Sequence, residues 1–563
     1  MHRLSAFILA VIICSTSALS QRVDSLFIQD LDTLKHWVEA LHPDAFARSS
    51  KELWNEAYEV AINSECTSEL DQLVVIGEFL KTLKDSHTSL SLGTWGRKVS
   101  NIYGKPEISF IIKGGKLYSK EGIQFVEVNG IIDTTLMKTA RSLTMLEGDN
   151  YHAENLLSGE IVAHLALAIG NCEPGAFKGI TLVDGNEKEI TLRTQFSKKK
   201  NKSQPVKWVY PNNEETTAFL QINSFNSGRS RKFYRNISKG FRKLRKSEAE
   251  HLVVDLRGNL GGSINRMNHV LRYFVDTTYF VTYALVQRQN TERKAQYKRG
   301  FYAEIEMGDT DTLFTQPTYP VKHPFEGECA LLVNGKSASA SVTFAAKFKE
   351  LNLGPIFGTA PMGSKYGTSA NPLYRTLRNS GIEICIATAQ LATDSTFKWS
   401  SFPITPTRWV ELSVDDLTID PTDRAIEDWL KFPEVSTIND FTQRESKMLF
   451  SDLEIVLGST EAWSGESRAE VFGLIEKTDK KLAEYDKQIK TIQSSELSED
   501  EIMYKVVSLQ GAKKSALKLR NASIKLALPQ ELRIVFEELT SESRPAVLHF
   551  GIHNRADCNV CKK

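Results

Sequence analysis

The chain has 563 residues, with 70 lysines and arginines against 69 aspartates and glutamates, for a net charge of +1. At roughly 150 residues per domain, that length implies three to four domains. The near balance of charge excludes a dedicated nucleic-acid binder, and 41% hydrophobic with 25% charged residues excludes a disordered or fibrous chain.

Residues 1–20 read as a secretory signal. His2 and Arg3 precede the apolar run Ala6–Cys14, and Ala18-Leu19-Ser20 puts small residues ahead of Gln21. The run is too short to span a bilayer, and no later stretch approaches the about eighteen apolar residues a span needs. A secreted or periplasmic chain with no stable membrane insertion is expected.

Residues 21–97 predict helices: Leu26, Leu31, Leu34 and Trp37-Val38 recur near helical spacing, as do Ile76, Phe79-Leu80 and Leu83. Residues 98–204 turn β-rich, with runs at Glu107–Ile112 and Phe125–Val128, turns at Gly114-Gly115 and Asn129-Gly130, and one helical piece around His152–Ala168. Residues 205–432 alternate strands (Ala218–Ile222, Leu252–Leu256, Cys329–Val333) with helices, including a basic amphipathic one at Phe233–Leu244. That is an α/β pattern of buried strands followed by helices. Residues 445–545 carry a narrow apolar seam (Val471, Ile475, Leu482, Tyr485, Ile489, Ile492), then a second helix from Ser498, whose spacing to Glu501 suits a capping box. A helical hairpin is expected there, with a coiled coil that makes a homo-oligomer as the rival; residues 546–563 form a tail.

With Cys14 removed, Cys66, Cys172, Cys329 and Cys385 stand mostly in apolar contexts that suit buried free thiols. Cys558 and Cys561 form a lone C-x-x-C. Zinc would need a second ligand pair, so a small-loop disulfide is expected.

Three segments carry potential chemistry. Val333–Ser341 (VNGKSASAS) follows an apolar strand and precedes a helical run, Val342–Phe348. A serine on such a turn can be held near backbone N–H donors at a helix N-terminus; the alternative is a plain serine-rich cap, with Ser341 capping. Asp255–Ser263 (DLRGNLGGS) runs from a buried strand into a glycine turn, which lets backbone N–H groups approach a ligand but otherwise suits any strand-to-helix turn. Asp85-Ser86-His87-Thr88 offers a histidine, the side chain with the natural pKa for a general base, although a lone histidine in a polar turn is often just solvated.

Together these segments resemble the S41 serine peptidases, the family of tricorn protease and the C-terminal processing (tail-specific) proteases. LVVDLRGNLGGS is similar to its D-L-R-x-N-x-G-G block and SASAS to its nucleophile block. Phe357–Ser364 resembles the following G-E-x-T-x-G block, Leu377–Ile382 the L-P-N-S-G stretch, and Gly122–Gly130 the I-N-G turn of a PDZ-like module. The resemblance spans roughly residues 25–430 in the family's order. It implies a ClpP/crotonase-like α/β catalytic domain, preceded by an N-terminal helical region and a PDZ-like module and followed by a C-terminal helical extension.

The resemblance also assigns roles. Ser339, the middle serine of SASAS, would be the nucleophile. Ala340 with Gly261 and Gly262 would form the oxyanion hole, a contribution of about 3 kcal/mol per donor. In the Ser–Lys subgroup the base is a lysine at a position occupied here by Ser364, with Lys365 one residue late. In the tricorn-like subgroup it is a histidine after a serine, which Ser86-His87 matches. His87 is therefore the expected base, with Ser86 in support and Lys365 as the alternative. The family's orienting acid should lie in Trp399–Pro406, which has none. Ser400, Asp394 or Glu411 could substitute. The family implies polypeptide substrates, hydrolysed through an acyl-enzyme without metal or organic cofactor. The rival is a non-catalytic peptide binder on the same fold.

Overall fold

A computed structural model describes residues 25–148, 150–170, 172–196, 204–211, 216–247, 249–290, 308–364, 367–393, 403–410, 421–431, 465–494, 499–528 and 533. The expected signal at 1–20, Lys365, Asp394, Ser400, Glu411, Ser498, Cys558, Cys561 and the tail 546–563 lie outside the described residues. No helix among the described residues is long and apolar enough to cross a membrane.

The chain begins with helices α1 (Ser25–Leu41), α2 (Lys51–Ile62) and α3 (Glu69–Lys81), the short strand β1 (Ser89–Leu90) and α4 (Leu92–Tyr103). Ser50 caps α2, and Ser68 with Asp71 closes a capping box on α3. A β-rich unit follows: β2 (Lys105–Pro106), β3 (Phe110–Lys113), β4 (Lys116–Ser119), β5 (Gln124–Val128), β6 (Ile131–Ile132), α5 (Asp133–Ser142), α6 (Tyr151–Ile169), β7 (Ala176–Val183) and β8 (Asn186–Gln195). Its strands form one sheet in the order β2-β8-β7-β5-β4-β3, with β6 on β5. Phe27, Leu34, Trp54 and Phe79 share one core with Phe110, Phe125 and Leu165. The N-terminal helices and the β-rich unit are thus packed as one body across residue 97.

The α/β domain comprises β9 (Val206–Val209), β10 (Thr217–Ile222), α7 (Ser230–Leu244), β11 (His251–Asp255), α8 (Ile264–Leu271), β12 (Ala284–Arg288), β13 (Thr310–Phe314), β14 (Glu328–Val333), α9 (Ala340–Glu350), β15 (Ile356–Gly358), β16 (Gly367–Ala370), β17 (Leu373–Thr376), β18 (Glu383–Ile386), β19 (Ala389–Ala392) and β20 (Arg408–Trp409). The central sheet runs β20-β15-β14-β11-β10-β9, parallel except for β9. Leu252, Val253 and Val254 of β11 and Ala330–Val333 of β14 are all buried, because helices cover both faces of such a sheet. A second sheet has the order β13-β12-β19-β16. β17 and β18 form a hairpin, and β1 adds to it antiparallel, pairing Ser89 with Cys385. Leu377, Ile382, Ile384 and Ile386 of this hairpin region belong to the N-terminal core.

Helix α10 (Pro421–Lys431) sets Ile426 and Trp429 against Phe357 of the central sheet. Helices α11 (Gly465–Gln493) and α12 (Glu499–Ala527) pack on each other and bury Val471, Ile475, Leu482 and Ile489 with Leu517 and Ile524. Cys329 and Cys385 are buried free thiols; Cys66 and Cys172 are half-buried and also unbridged.

Candidate active site

The parallel strands β10, β11 and β14 end together, and the turns after them build the site. The turn after β14 is riveted to the turn after β11. Gly258 N donates to Asn334 Oδ1 at 3.0 Å, Ser337 Oγ to Leu256 O at 2.8 Å, and Ala338 N to Asn259 O at 3.0 Å. Ser341 does not cap the helix; its Oγ donates to Asn259 O at 2.9 Å. The cap position of α9 is Ser339 itself, with no side-chain capping bond and with φ 53° and ψ −118°. A non-glycine residue with positive φ is strained, and such strain persists only where surrounding bonds hold it.

Asn259 is the rivet, and its side chain was not singled out by the motif reading. It is fully buried, its Nδ2 donates to Ile222 O at 2.9 Å, and its Oδ1 accepts from Gly261 N at 2.9 Å. The Gly261 N–H is therefore spent inside the loop. Among the described residues the N–H groups of Gly262 and Ala340 have no acceptor, so these two remain to face an oxyanion. Gly261 matters for space: with φ +91°, a Cβ there would lie 2.6 Å from Ala338 O and 2.7 Å from Ser339 Cβ.

His87 comes from the other half of the chain, 252 residues away, and its Nε2 lies 3.2 Å from Ser339 Oγ. The pairing of β1 with β18 carries it there. Asp85 holds the turn. It accepts from His87 N at 2.9 Å, from Thr88 Oγ1 at 3.0 Å and from His42 Nε2 at 2.8 Å. Because Asp44 N donates to His42 Nδ1 at 3.1 Å, the His42 proton sits on Nε2, toward Asp85. Burial opposes the Asp85 charge, but the hydrogen bond from His42, with the nearby His87 and Arg48, outweighs it and holds the carboxyl well below the usual range.

The carboxylate that orients His87 is Glu147, whose Oε2 stands 3.1 Å from His87 Nδ1. It lies on the connection between α5 and α6, before the nucleophile in sequence, and no motif marks it. The available signal was an acid at a helix break with the apolar neighbours Met145 and Leu146. Its side chain is fully buried, and its oxygens also accept from Arg48 Nη2 at 2.8 Å, Thr368 Oγ1 at 2.9 Å and Ser369 N at 2.7 Å. Ser86 Oγ adds a longer bond to Glu147 at 3.3 Å and lies 3.4 Å from His87 Nδ1. Asn150 caps α6 and donates to Ala360 O and Pro361 O, fastening the connection to the turn after β15.

Burial raises the cost of charging Glu147, yet the Arg48 guanidinium and the imidazole bond outweigh that and keep its pKa below the ordinary value. Burial lowers the His87 pKa, and Arg48 does so too, but the hydrogen bond and charge of Glu147 with the charge of Asp85 win and raise it. Ligand-type atoms of Asp85, His87 and Glu147 lie within 4.8 Å of one another. Their carboxylate oxygens already accept from protein donors, which is the chemistry of an ion-paired triad rather than of a metal cradle. Ser339, His87, Ser86, Gly261, Gly262 and Ala340 thus converge on one place. Ser364, the residue at the family's lysine position, is buried and bridges Gly367 and Pro403.

A parallel sheet that carries a strained serine at its carboxyl edge, with an imidazole on its hydroxyl and a carboxylate on the far ring nitrogen, has the nucleophile–base–acid arrangement that serine-type peptidases use. Residues 216–407 match the family model described as Peptidase family S41. The carboxy-terminal processing protease CtpB of Bacillus subtilis (strain 168) is 25% identical over 223 residues, which is 38% of this chain and 39% of that protein, so the match spans about two fifths of that curated relative. Among solved structures, mature CPAF superposes with a TM-score of 0.52 at 12% identity, over 73% of this chain and 96% of that one. The photosystem II D1 C-terminal processing protease gives a TM-score of 0.37 at 17% identity, over 71% and 99%. The α/β domain of this chain thus matches peptidase family S41 over residues 216–407.

Proposed function

We propose that this chain is a secreted serine endopeptidase that cuts exposed or unfolded polypeptide through an acyl-enzyme. The observation that carries the reading is the continuous relay Ser339 Oγ, His87 Nε2, His87 Nδ1, Glu147 Oε2. The proton of Ser339 passes to His87 Nε2 as Oγ bonds to the peptide carbonyl carbon and the carbonyl electron pair moves onto oxygen. The N–H groups of Gly262 and Ala340 stabilise that oxyanion. When the C–N bond breaks, the Nε2 proton goes to the leaving amine and an ester remains on Ser339. Water then repeats the sequence and releases the acid. Glu147 keeps the ring in the Nδ1–H tautomer and balances the imidazolium.

The peptide-binder alternative drew its weight from the missing downstream acid, and Glu147 supplies a carboxylate at the required atom. We read the β-rich unit as PDZ-like, taking peptide by strand addition, and residues 445–545 as a helical hairpin, with assembly of copies of the chain through it as the rival. Hydrolysis of an unfolded protein by residues 21–563, beside Ser339→Ala, His87→Ala and Lys365→Ala, tests the first reading. Loss in the first two with Lys365→Ala active is expected; activity in His87→Ala with loss in Lys365→Ala would overturn the histidine base. Truncation before Phe441 tests the assembly: unchanged size in solution would sink it.

A further inference from the structure

The relay leaves unused the cations of α7. Nine basic residues and no acid stand between Arg229 and Lys246, in a chain whose net charge is only +1. All nine are exposed, and none pairs with a carboxylate among the described residues. Lys243 lies 3.8 Å over the Tyr210 ring and Arg245 donates to His323 O. Arg231, Arg235, Lys239 and Arg242 recur at helical spacing and form one stripe. The opposite face, with Phe233, Ile237 and Phe241, is buried in the core. Arg229, Arg231 and Lys232 also crowd the helix N-terminus, where the backbone dipole is already positive and no acid stands in the first turn. A local rule broken without a structural gain marks function.

Position selects the partner. The segment leading into α7 lies against the oxyanion loop: Phe225 N donates to Gly261 O at 2.9 Å, and a Cβ on Gly262 would lie 2.5 Å from Asn226 N. Arg266 ties down Ser227 O, Gly228 O and Ser230 Oγ at 2.9 Å each. The stripe therefore starts at the rim of the site and runs down the flank of the domain for about 16 Å. An extended polypeptide covers that length in about five residues. An interfacial membrane helix would instead present its apolar face, which the core here already occupies.

We propose that the exposed face of α7 is an exosite for an acidic segment of the polypeptide being cleaved. This rests on the peptidase reading, and the test separates the two. Binding is measured on the full chain carrying Ser339→Ala, with a labelled Glu-Gly repeat peptide as probe. Cleavage is measured on one unfolded substrate with either a Glu-Gly or a Gln-Gly tail appended. Triple reversal (Arg231→Glu, Arg235→Glu, Lys239→Glu) should weaken peptide binding by about tenfold or more at low salt and abolish the preference for the acidic tail, as should high salt. The matching glutamine triple variant should fall between and guards against misfolding of the reversal. Equal binding by parent and both variants overturns the exosite. So does tighter binding of oligo-dT, or of phosphatidylcholine–phosphatidylglycerol vesicles, that the reversal abolishes, since the face would then serve nucleic acid or membrane. If the parent cuts nothing, the peptidase reading fails while the binding arm still decides the exosite.

Discussion

Glu147 meets His87 from the N-terminal side of the chain, 60 residues after the histidine and well before the nucleophile, with 3.1 Å between Oε2 and Nδ1. The acid that the family pattern puts downstream is thus replaced by one from the α5–α6 connection. Glu147→Gln keeps the size of the side chain but presents the wrong group to Nδ1. It should lower kcat about 10³–10⁴-fold with KM little changed. Steady-state kinetics on any peptide the parent cuts will check this, and a change below tenfold would remove Glu147 from the relay.

Arg48 and Glu147 are a buried pair, with side chains 2% and 0% exposed. Arg48→Met leaves the carboxylate buried without its cation, and breaking a buried pair in this way costs about 3–5 kcal/mol. A fall in the urea midpoint and in kcat is expected from the same variant. The double variant with Glu147→Gln should recover part of the stability and none of the activity.

The imidazole of His87 is held above its ordinary pKa of 6.5, and only the neutral ring can accept the Ser339 proton. Activity should therefore rise with pH through a midpoint above 6.5. The stability sign is the opposite for this group: its raised pKa stabilises the fold at low pH, and that contribution is lost as pH rises through the folded value. Asp85 and Glu147, both held low, stabilise above their ordinary values of 3.8 and 4.5, and this is lost as pH falls through their depressed folded values. A kcat/KM profile with a midpoint below 6.5 would contradict the geometry around Nδ1.

Gly261→Ala forces a Cβ between Ala338 O and Ser339 Cβ at a φ of +91°. The nucleophile turn must shift, and a displaced oxyanion donor should cost about 10²–10³ in kcat. The rate of labelling by a fluorophosphonate should fall alongside. Normal labelling would mean the loop absorbs the methyl group.

Asn259→Ala removes the rivet between the two turns and leaves Ile222 O and Gly261 N buried without partners. Each orphan costs about 1–3 kcal/mol. Thermal unfolding should show a clear drop in Tm, and Asn259→Asp, which keeps one acceptor for Gly261 N, should lose less.

By itself the sequence determined what is local. The buried strands at 252–256 and 329–333, the glycine turn between them, Ser339 on a strand-to-helix turn and His87 beside Ser86 are all legible, because a few adjacent residues set the backbone there. The cationic stripe of α7 is legible for the same reason, since helical spacing alone aligns it. The tertiary structure decided the rest. Glu147 stands in no motif and becomes a partner of His87 only when the α5–α6 connection is pinned by Arg48, by the backbone of Ser369 and by Asn150 on the turn after β15. Which glycine N–H stays free depends on where the buried Asn259 side chain turns. Those choices rest on long-range hydrogen bonds in a buried space, and spacing along the chain does not encode them.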